Sequence, residues 1–203
     1  MKKLLVFVLA LLLMTGLTGC GKDKISDDWT DLEFLLDGNK YSFPHKFLPF
    51  NSKGWLLEEN DEIQPGEYTD EYYEMWNNSF YDEENQLYAT ILVEFENETD
   101  KVQNIKDCTI WWISFSRMPY LGVELNNVYE IELAKGIKWG STEKEIIAAY
   151  GNVAEDKRIA VEEDGYVALI YIDETDNMYS QMILYILDDG GLFMVDLEKY
   201  PYE

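Results

Sequence analysis

Between Leu87 and Glu96 the chain alternates without a break. Leu87, Ala89, Ile91, Val93 and Phe95 take one side of an extended segment, and Tyr88, Thr90, Leu92, Glu94 and Glu96 take the other. A side-chain period of two matches a pleated strand, and it predicts a sheet with one core face and one more polar face. Turn-forming runs cut the neighbouring sequence into similar segments. Strands are expected at residues 72–79 and 108–115, set off by Asp82-Glu83-Glu84-Asn85 and by Asn97-Glu98-Thr99-Asp100. Upstream, residues 32–36 and 41–43 flank Asp37-Gly38-Asn39, and Asp-Gly supplies the positive φ that a tight hairpin requires. Downstream, strand segments at 158–161, 166–172, 181–187 and 192–197 are punctuated by Asp164-Gly165, by residues 173–177 and by Asp188-Asp189-Gly190-Gly191.

Helical signals are few. Pro49 suits the first position of a single turn over 49–53, with Gly54 as its stop, and residues 55–57 resume a strand. Residues 58–71 (EENDEIQPGEYTDE) are acidic and aperiodic, which reads as an exposed connection. A strand at 129–133 leads through Gly136-Ile137-Lys138-Trp139-Gly140 to a helix over 142–150. There Thr142 and Glu145 form a capping box, Gly151 supplies the stop, and Ile146, Ile147 and Tyr150 make the buried stripe. Each half thus reads as a leading strand or hairpin, one helix, then three or four antiparallel strands. The expected fold is α+β, two tandem units of a short helix packed on an antiparallel β-sheet, over 28–128 and 129–203.

The N-terminus carries an address. Lys2-Lys3 precedes an unbroken apolar run at 4–14 (LLVFVLALLLM), too short for a membrane-crossing helix of ~20 residues and matched to a signal-peptide core spanning 1–19. Leu17-Thr18-Gly19-Cys20 follows and resembles the bacterial lipobox. The small residues admit the peptidase, and the Cys20 thiol takes the lipid. Residues 20–27 then form the lipidated Cys and a tether, holding the chain at the outer face of a bacterial cell membrane. Each buried lipid CH₂ contributes ~0.8 kcal/mol. The alternative is an ordinary secretory signal with Cys20 incidental. The formal net charge is −24, more negative still once Lys2 and Lys3 leave with the leader, and such a surface repels nucleic acid phosphates and anionic headgroups. With one His and two Cys, neither a His-rich or Cys-rich metal site nor a disulfide framework is available, and no cofactor is indicated.

Two stretches carry a wider resemblance. Leu36-Asp37-Gly38-Asn39-Lys40-Tyr41-Ser42-Phe43-Pro44 with Gly54-Trp55, and Gly136 to Ile146 (GIKWGSTEKEI) with Tyr150-Gly151, resemble uncharacterised surface lipoproteins of Gram-positive gut bacteria. The second stretch is also similar to the Gly-x-[Ser/Thr]-x-x-Glu-[Val/Ile] helix start of beta-lactamase-inhibitor-like tandem repeat domains, and to small lipoproteins of the outer-membrane barrel-assembly machinery. The motif encodes a turn and a cap. Val153 stands where the family pattern often has Pro, and the disulfides and longer helical pairs of the inhibitors are missing, so inhibition of a beta-lactamase is not carried over. What the resemblance implies is a binding scaffold on the cell surface.

Catalytic patterns are sparse. A Ser-His-Asp arrangement must use His45, which sits beside Pro44, and no Gly-x-Ser-x-Gly elbow accompanies it. Cys108 opens a strand pattern and reads as a buried, inert thiol. Asp173-Glu174-Thr175-Asp176-Asn177 and Asp82-Glu83-Glu84 offer oxygen ligands for calcium, but the first lacks EF-hand spacing and both read as solvated hairpin tips. Asn77-Asn78-Ser79 and Asn97-Glu98-Thr99 match the glycosylation triplet, which carries no meaning by default in a bacterial lipoprotein. The aromatics are the remaining lead. If Thr109, Trp111, Ile113 and Phe115 form the apolar face of their strand, then Ile110, Trp112 and Ser114 lie opposite. Tyr88 and Trp112, with Trp76, would then make a ligand-binding sheet face ringed by acid. The competing reading is that the second half covers this face. The expected function is a non-catalytic, membrane-anchored binding module for a protein, peptide or cell-wall glycan; the alternatives are an envelope-assembly accessory lipoprotein, or a hydrolase dependent on His45.

Overall fold

The computed structural model describes residues 24–69, 71–117, 128–175 and 177–201. The leader, Cys20 and the first part of the tether lie outside the described residues. The chain is α+β and mostly antiparallel sheet. The strands are β1 (Glu33–Leu36), β2 (Asn39–Ser42), β3 (His45–Lys46), β4 (Glu62–Ile63), β5 (Tyr73–Asp82), β6 (Leu87–Glu96), β7 (Gln103–Asn104), β8 (Thr109–Ser116), β9 (Ile131–Leu133), β10 (Arg158–Val161), β11 (Tyr166–Thr175), β12 (Met178–Leu187) and β13 (Gly191–Pro201). The helices are α1 (Phe47–Asn51) and α2 (Glu143–Tyr150), with short 3₁₀ turns between elements.

Local chemistry fixes the small sheet. Asp37 (φ 50°) and Gly38 (φ 75°) both take the left-handed region, folding β1 back on β2 with Phe34 opposite Tyr41. Asp37 also clamps a distant segment: its N–H donates to the Glu130 carbonyl, and its Oδ1 accepts from the Glu130 N–H, both at 2.9 Å. β9 leaves from that clamp and pairs antiparallel with β1, giving the order β2-β1-β9.

The large sheet has eight strands, ordered β10-β11-β12-β13-β8-β6-β5, with β3 also on β8. The alternation in β6 holds as read: Ala89, Ile91, Val93 and Phe95 are buried. Residues 28–128 supply β3, β5, β6 and β8, and residues 129–203 supply β10 to β13. The last long strand of each stretch meets the other at the centre, β8 against β13, with Phe115 opposite Val195. The leading strands β1 and β9 pair antiparallel as well.

The core lies between the two sheets. Phe34 packs edge-on against Phe115 at 5.0 Å, and Tyr129, fully buried, accepts from the Ser116 N–H at 2.9 Å while touching Trp55, Phe80 and Trp139. α2 closes the same side. Thr142 and Glu145 form the expected reciprocal box and Gly151 (φ 91°) ends the helix. Ile146 is fully buried, worth ~1.5–3 kcal/mol, and the Tyr150 hydroxyl donates to the Ala134 carbonyl at 2.7 Å. The approach to α2 is pinned to β13: the Gly140 N–H donates to the Leu192 carbonyl at 2.9 Å, and the Leu192 N–H donates to the Ser141 carbonyl at 2.8 Å. The backbones come so close that a Cβ on Gly191 (φ 70°) would stand 2.3 Å from the Gly140 oxygen.

Three expectations change. α1 starts two residues before Pro49, because Phe47 and Phe50 are the side chains it buries; proline is tolerated anywhere in a first turn, where N–H groups lack helical partners. Residues 55–57 make only an isolated bridge, Leu56 to Trp76. Residues 58–71 are not simply an exposed connection. β4 pairs with β7, Ile63 is buried, and Asn97 ties the segment down, its Nδ2 donating to the Ile63 carbonyl at 2.8 Å and the Lys101 carbonyl at 2.7 Å.

Candidate functional site

The core-facing side of the large sheet is filled by the small sheet and both helices. Its other face carries Tyr88, Thr90, Leu92, Glu94 and Glu96 from β6. Register extends that face row by row: Glu94 lies opposite Trp112, Trp112 opposite Glu198, and Glu198 opposite Gln181. One step along, the row is Leu92, Ser114, Asp196 and Ile183. The second stretch of the chain therefore continues this face edge to edge through β13, where the sequence left open that it would cover it. Tyr88 is 39% exposed and Tyr72, beside Trp112, is 64% exposed.

The face of β8 departs from the expected alternation. A register shift falls between Glu94 and Phe95, so that Glu94 pairs with Trp112 but Phe95 with Ile110. Trp111 is the extra residue of a β-bulge. Ile110 turns into the core, fully buried, and Trp111 joins the outer face, edge-on to Tyr68 at 5.4 Å and Tyr200 at 5.9 Å. Strict alternation had placed Trp111 with the core residues and Ile110 opposite; one inserted residue reverses both.

The three aromatics expected to act together separate into two groups. Trp76 packs on Tyr88 at 4.9 Å, and Tyr81 approaches Tyr88 from the other side at 4.7 Å. A register shift between Trp76 and Tyr81 brings both onto Tyr88 while the residues between them bulge away. Trp112 stands opposite Glu94, six positions along β6 from Tyr88, about 20 Å at ~3.3 Å per residue. Its neighbour is Tyr72, at 6.1 Å.

Carboxylates gather around Trp112. Glu94, Glu96, Asp196 and Glu198 all hold their protons more tightly than ordinary carboxylates, first because burial disfavours the charged form. Glu94 and Asp196 add repulsion at Glu198. Asp196 is 8% exposed; its Oδ2 accepts from the Tyr185 hydroxyl at 2.9 Å, the Ser114 hydroxyl beside it favours the charged form, and its Oδ1 has no hydrogen bond of normal geometry. The Trp111 indole N–H is likewise buried without a partner. Glu198 accepts from Gln181 Nε2 at 2.9 Å, and Gln181 Oε1 accepts from the Tyr179 hydroxyl at 2.7 Å. The ion pairs among the described residues, Lys24–Asp27, Lys40–Glu33 and Arg158–Glu143, all lie elsewhere.

The other candidate residues have structural partners. His45 is edge-on to Tyr41 and Phe50, and burial lowers its pKa. Cys108 is buried, its thiol donates to the Asn104 carbonyl at 3.4 Å, and burial raises its pKa. Asp82 caps its own turn, accepting from the Glu84 and Asn85 N–H groups. Asn97 is fully buried, its Oδ1 accepting from the Thr99 N–H and hydroxyl, and the Asn77 Oδ1 accepts from the Ser79 N–H; both triplets are turns. Among the described residues no group of three or more His, Cys, Asp or Glu could hold a metal ion, and no helix is long and apolar enough to cross a membrane. In comparisons with known proteins, no family model matches the chain, and neither a curated protein nor a solved structure does.

Proposed function

We propose that this protein is a lipoprotein held at the outer face of a bacterial cell membrane through Cys20, and that it is a non-catalytic binding module whose ligand docks on the outer face of the eight-stranded sheet. The supporting observation is the β8–β13 junction: it makes one continuous face from both stretches of the chain, with Trp76–Tyr88 at one end and, at the other, Trp112 flanked in its row by Glu94 and Glu198. Aromatic anchors in a polar surround are the usual composition of recognition surfaces. The meeting of β8 with β13 and of β1 with β9 also favours reading the fold as two tandem helix-plus-sheet units of the beta-lactamase-inhibitor-like kind.

Two experiments test this. Metabolic labelling with a fatty acid should mark the chain and fail with Cys20→Ser; labelling that survives the substitution removes the anchor. Crosslinking of the membrane-extracted protein to envelope and secreted fractions should give a saturable partner that is lost with Tyr88→Ala or Trp112→Ala. Capture indifferent to both substitutions removes the sheet face as the site.

A further inference from the structure

Charge on the outer face is one-sided. β6 contributes Glu94 and Glu96 to it and β13 contributes Asp196 and Glu198, and the only base in β6, β8, β12 and β13, Lys199, occupies a register position on the opposite side, across from Ser180. Trp112 lies between Glu94 and Glu198 in one row of the sheet. An indole flanked by two carboxylates is a seat for an organic cation: the ring face attracts it, and the carboxylates accept its N–H bonds. Asp196 lies one row along, nine-tenths buried, with Oδ1 lacking a hydrogen bond of normal geometry and the Ser114 hydroxyl beside it.

The carboxylates repeat at strand spacing. Glu94 and Glu96 follow each other on β6, and Asp196 and Glu198 on β13, each pair two residues apart. That spacing is about 7 Å, and an extended polypeptide presents alternate side chains at the same interval. We propose that the row Glu94, Trp112 and Glu198 binds an extended basic segment of a partner protein, with one lysine ammonium seated between the two carboxylates against the indole. This rests on the sheet-face reading and names the chemistry of the ligand.

The test is titration calorimetry of the full, detergent-solubilised protein with an acetylated Lys-Gly-Lys-Gly-Lys amide, and with the same peptide carrying glutamine for lysine. Saturable binding of the lysine peptide alone is expected, at least tenfold weaker in Glu94→Gln/Glu198→Gln and several-fold weaker in Trp112→Leu. Glu58→Gln/Glu59→Gln removes the same charge from two exposed side chains outside the large sheet and should change affinity less than twofold. Equal losses in the two double variants would mean diffuse attraction to an acidic protein and overturn the site. Spermidine binding as tightly as the peptide would overturn the polypeptide as occupant. If an envelope partner is captured and lost with Tyr88→Ala yet ignores Glu94→Gln/Glu198→Gln, this assignment fails while the sheet-face reading stands.

Discussion

Replacing Gly191 by alanine tests how tightly the approach to α2 is bolted to β13. Alanine at φ 70° costs about 1–2 kcal/mol for the left-handed backbone alone. Its Cβ would also stand 2.3 Å from the Gly140 oxygen, 2.5 Å from its carbonyl carbon and 2.9 Å from its Cα. All three are backbone atoms, so no side chain can swing aside, and overpacking of this kind costs about 1–3 kcal/mol. The separation that relieves the clash stretches the Gly140–Leu192 and Leu192–Ser141 hydrogen bonds, each worth ~1 kcal/mol. Together these give a loss of about 3–5 kcal/mol, or a Tm lower by roughly 10 °C at 2–4 °C per kcal/mol for a chain of this size. Thermal and urea unfolding followed by circular dichroism measures it. Gly165→Ala is the internal control, because Gly165 has φ 67° with nothing within 4 Å of its Cβ position, and it should lose only ~1 kcal/mol. If the two variants unfold within 1 kcal/mol of each other, the backbone contact does not constrain the fold as argued.

Asn97→Ala should destabilise by about 2–4 kcal/mol, because it strips buried partners from two carbonyls and the Thr99 N–H; a loss under 1 kcal/mol in urea would show that water satisfies them. Thr142→Ala should cost ~1 kcal/mol through the helix cap, measurable in the same assay, with Lys144→Ala as the neutral comparison. For pH, burial raises the folded-state pKa of Asp196, so the stability it contributes is present below its unfolded pKa and lost as pH rises through the folded value. Asp196→Asn should therefore be more stable than wild type at pH 8, with the gap closing as pH falls toward 4. His45, whose pKa is lowered, runs the opposite way in both proteins and cancels in the difference; a gap that stays constant with pH would refute the assignment.

What could be read from the chain was what neighbouring residues decide. The Asp37-Gly38 turn, the Thr142–Glu145 cap and the alternation of β6 each depend on contacts a few residues apart, and each stands as read. The bulge at Trp111 left no trace in composition, because Ile110 and Trp111 are both apolar and only the pairing with β6 decides which turns inward. β4 was invisible for a related reason: one buried Ile63 among acids shows no period, and its partner β7 lies some forty residues on. Trp76 and Tyr88 were both singled out, but their contact depends on the register shift in β5. The carboxylates around Trp112 were beyond local reasoning altogether, since Glu198 reaches that row only because β13 pairs with β8.

The same junction governs how the molecule can be built. β13 is the final strand described, yet it occupies the middle of the large sheet, hydrogen-bonded to β12 on one side and β8 on the other. A chain emerging N-terminus first exposes the β8 edge until β13 is made, and a truncation before Gly191 leaves both β8 and β12 as open edges, the template for intermolecular pairing. Closure of the large sheet therefore waits on β13, the latch that joins β12 to β8.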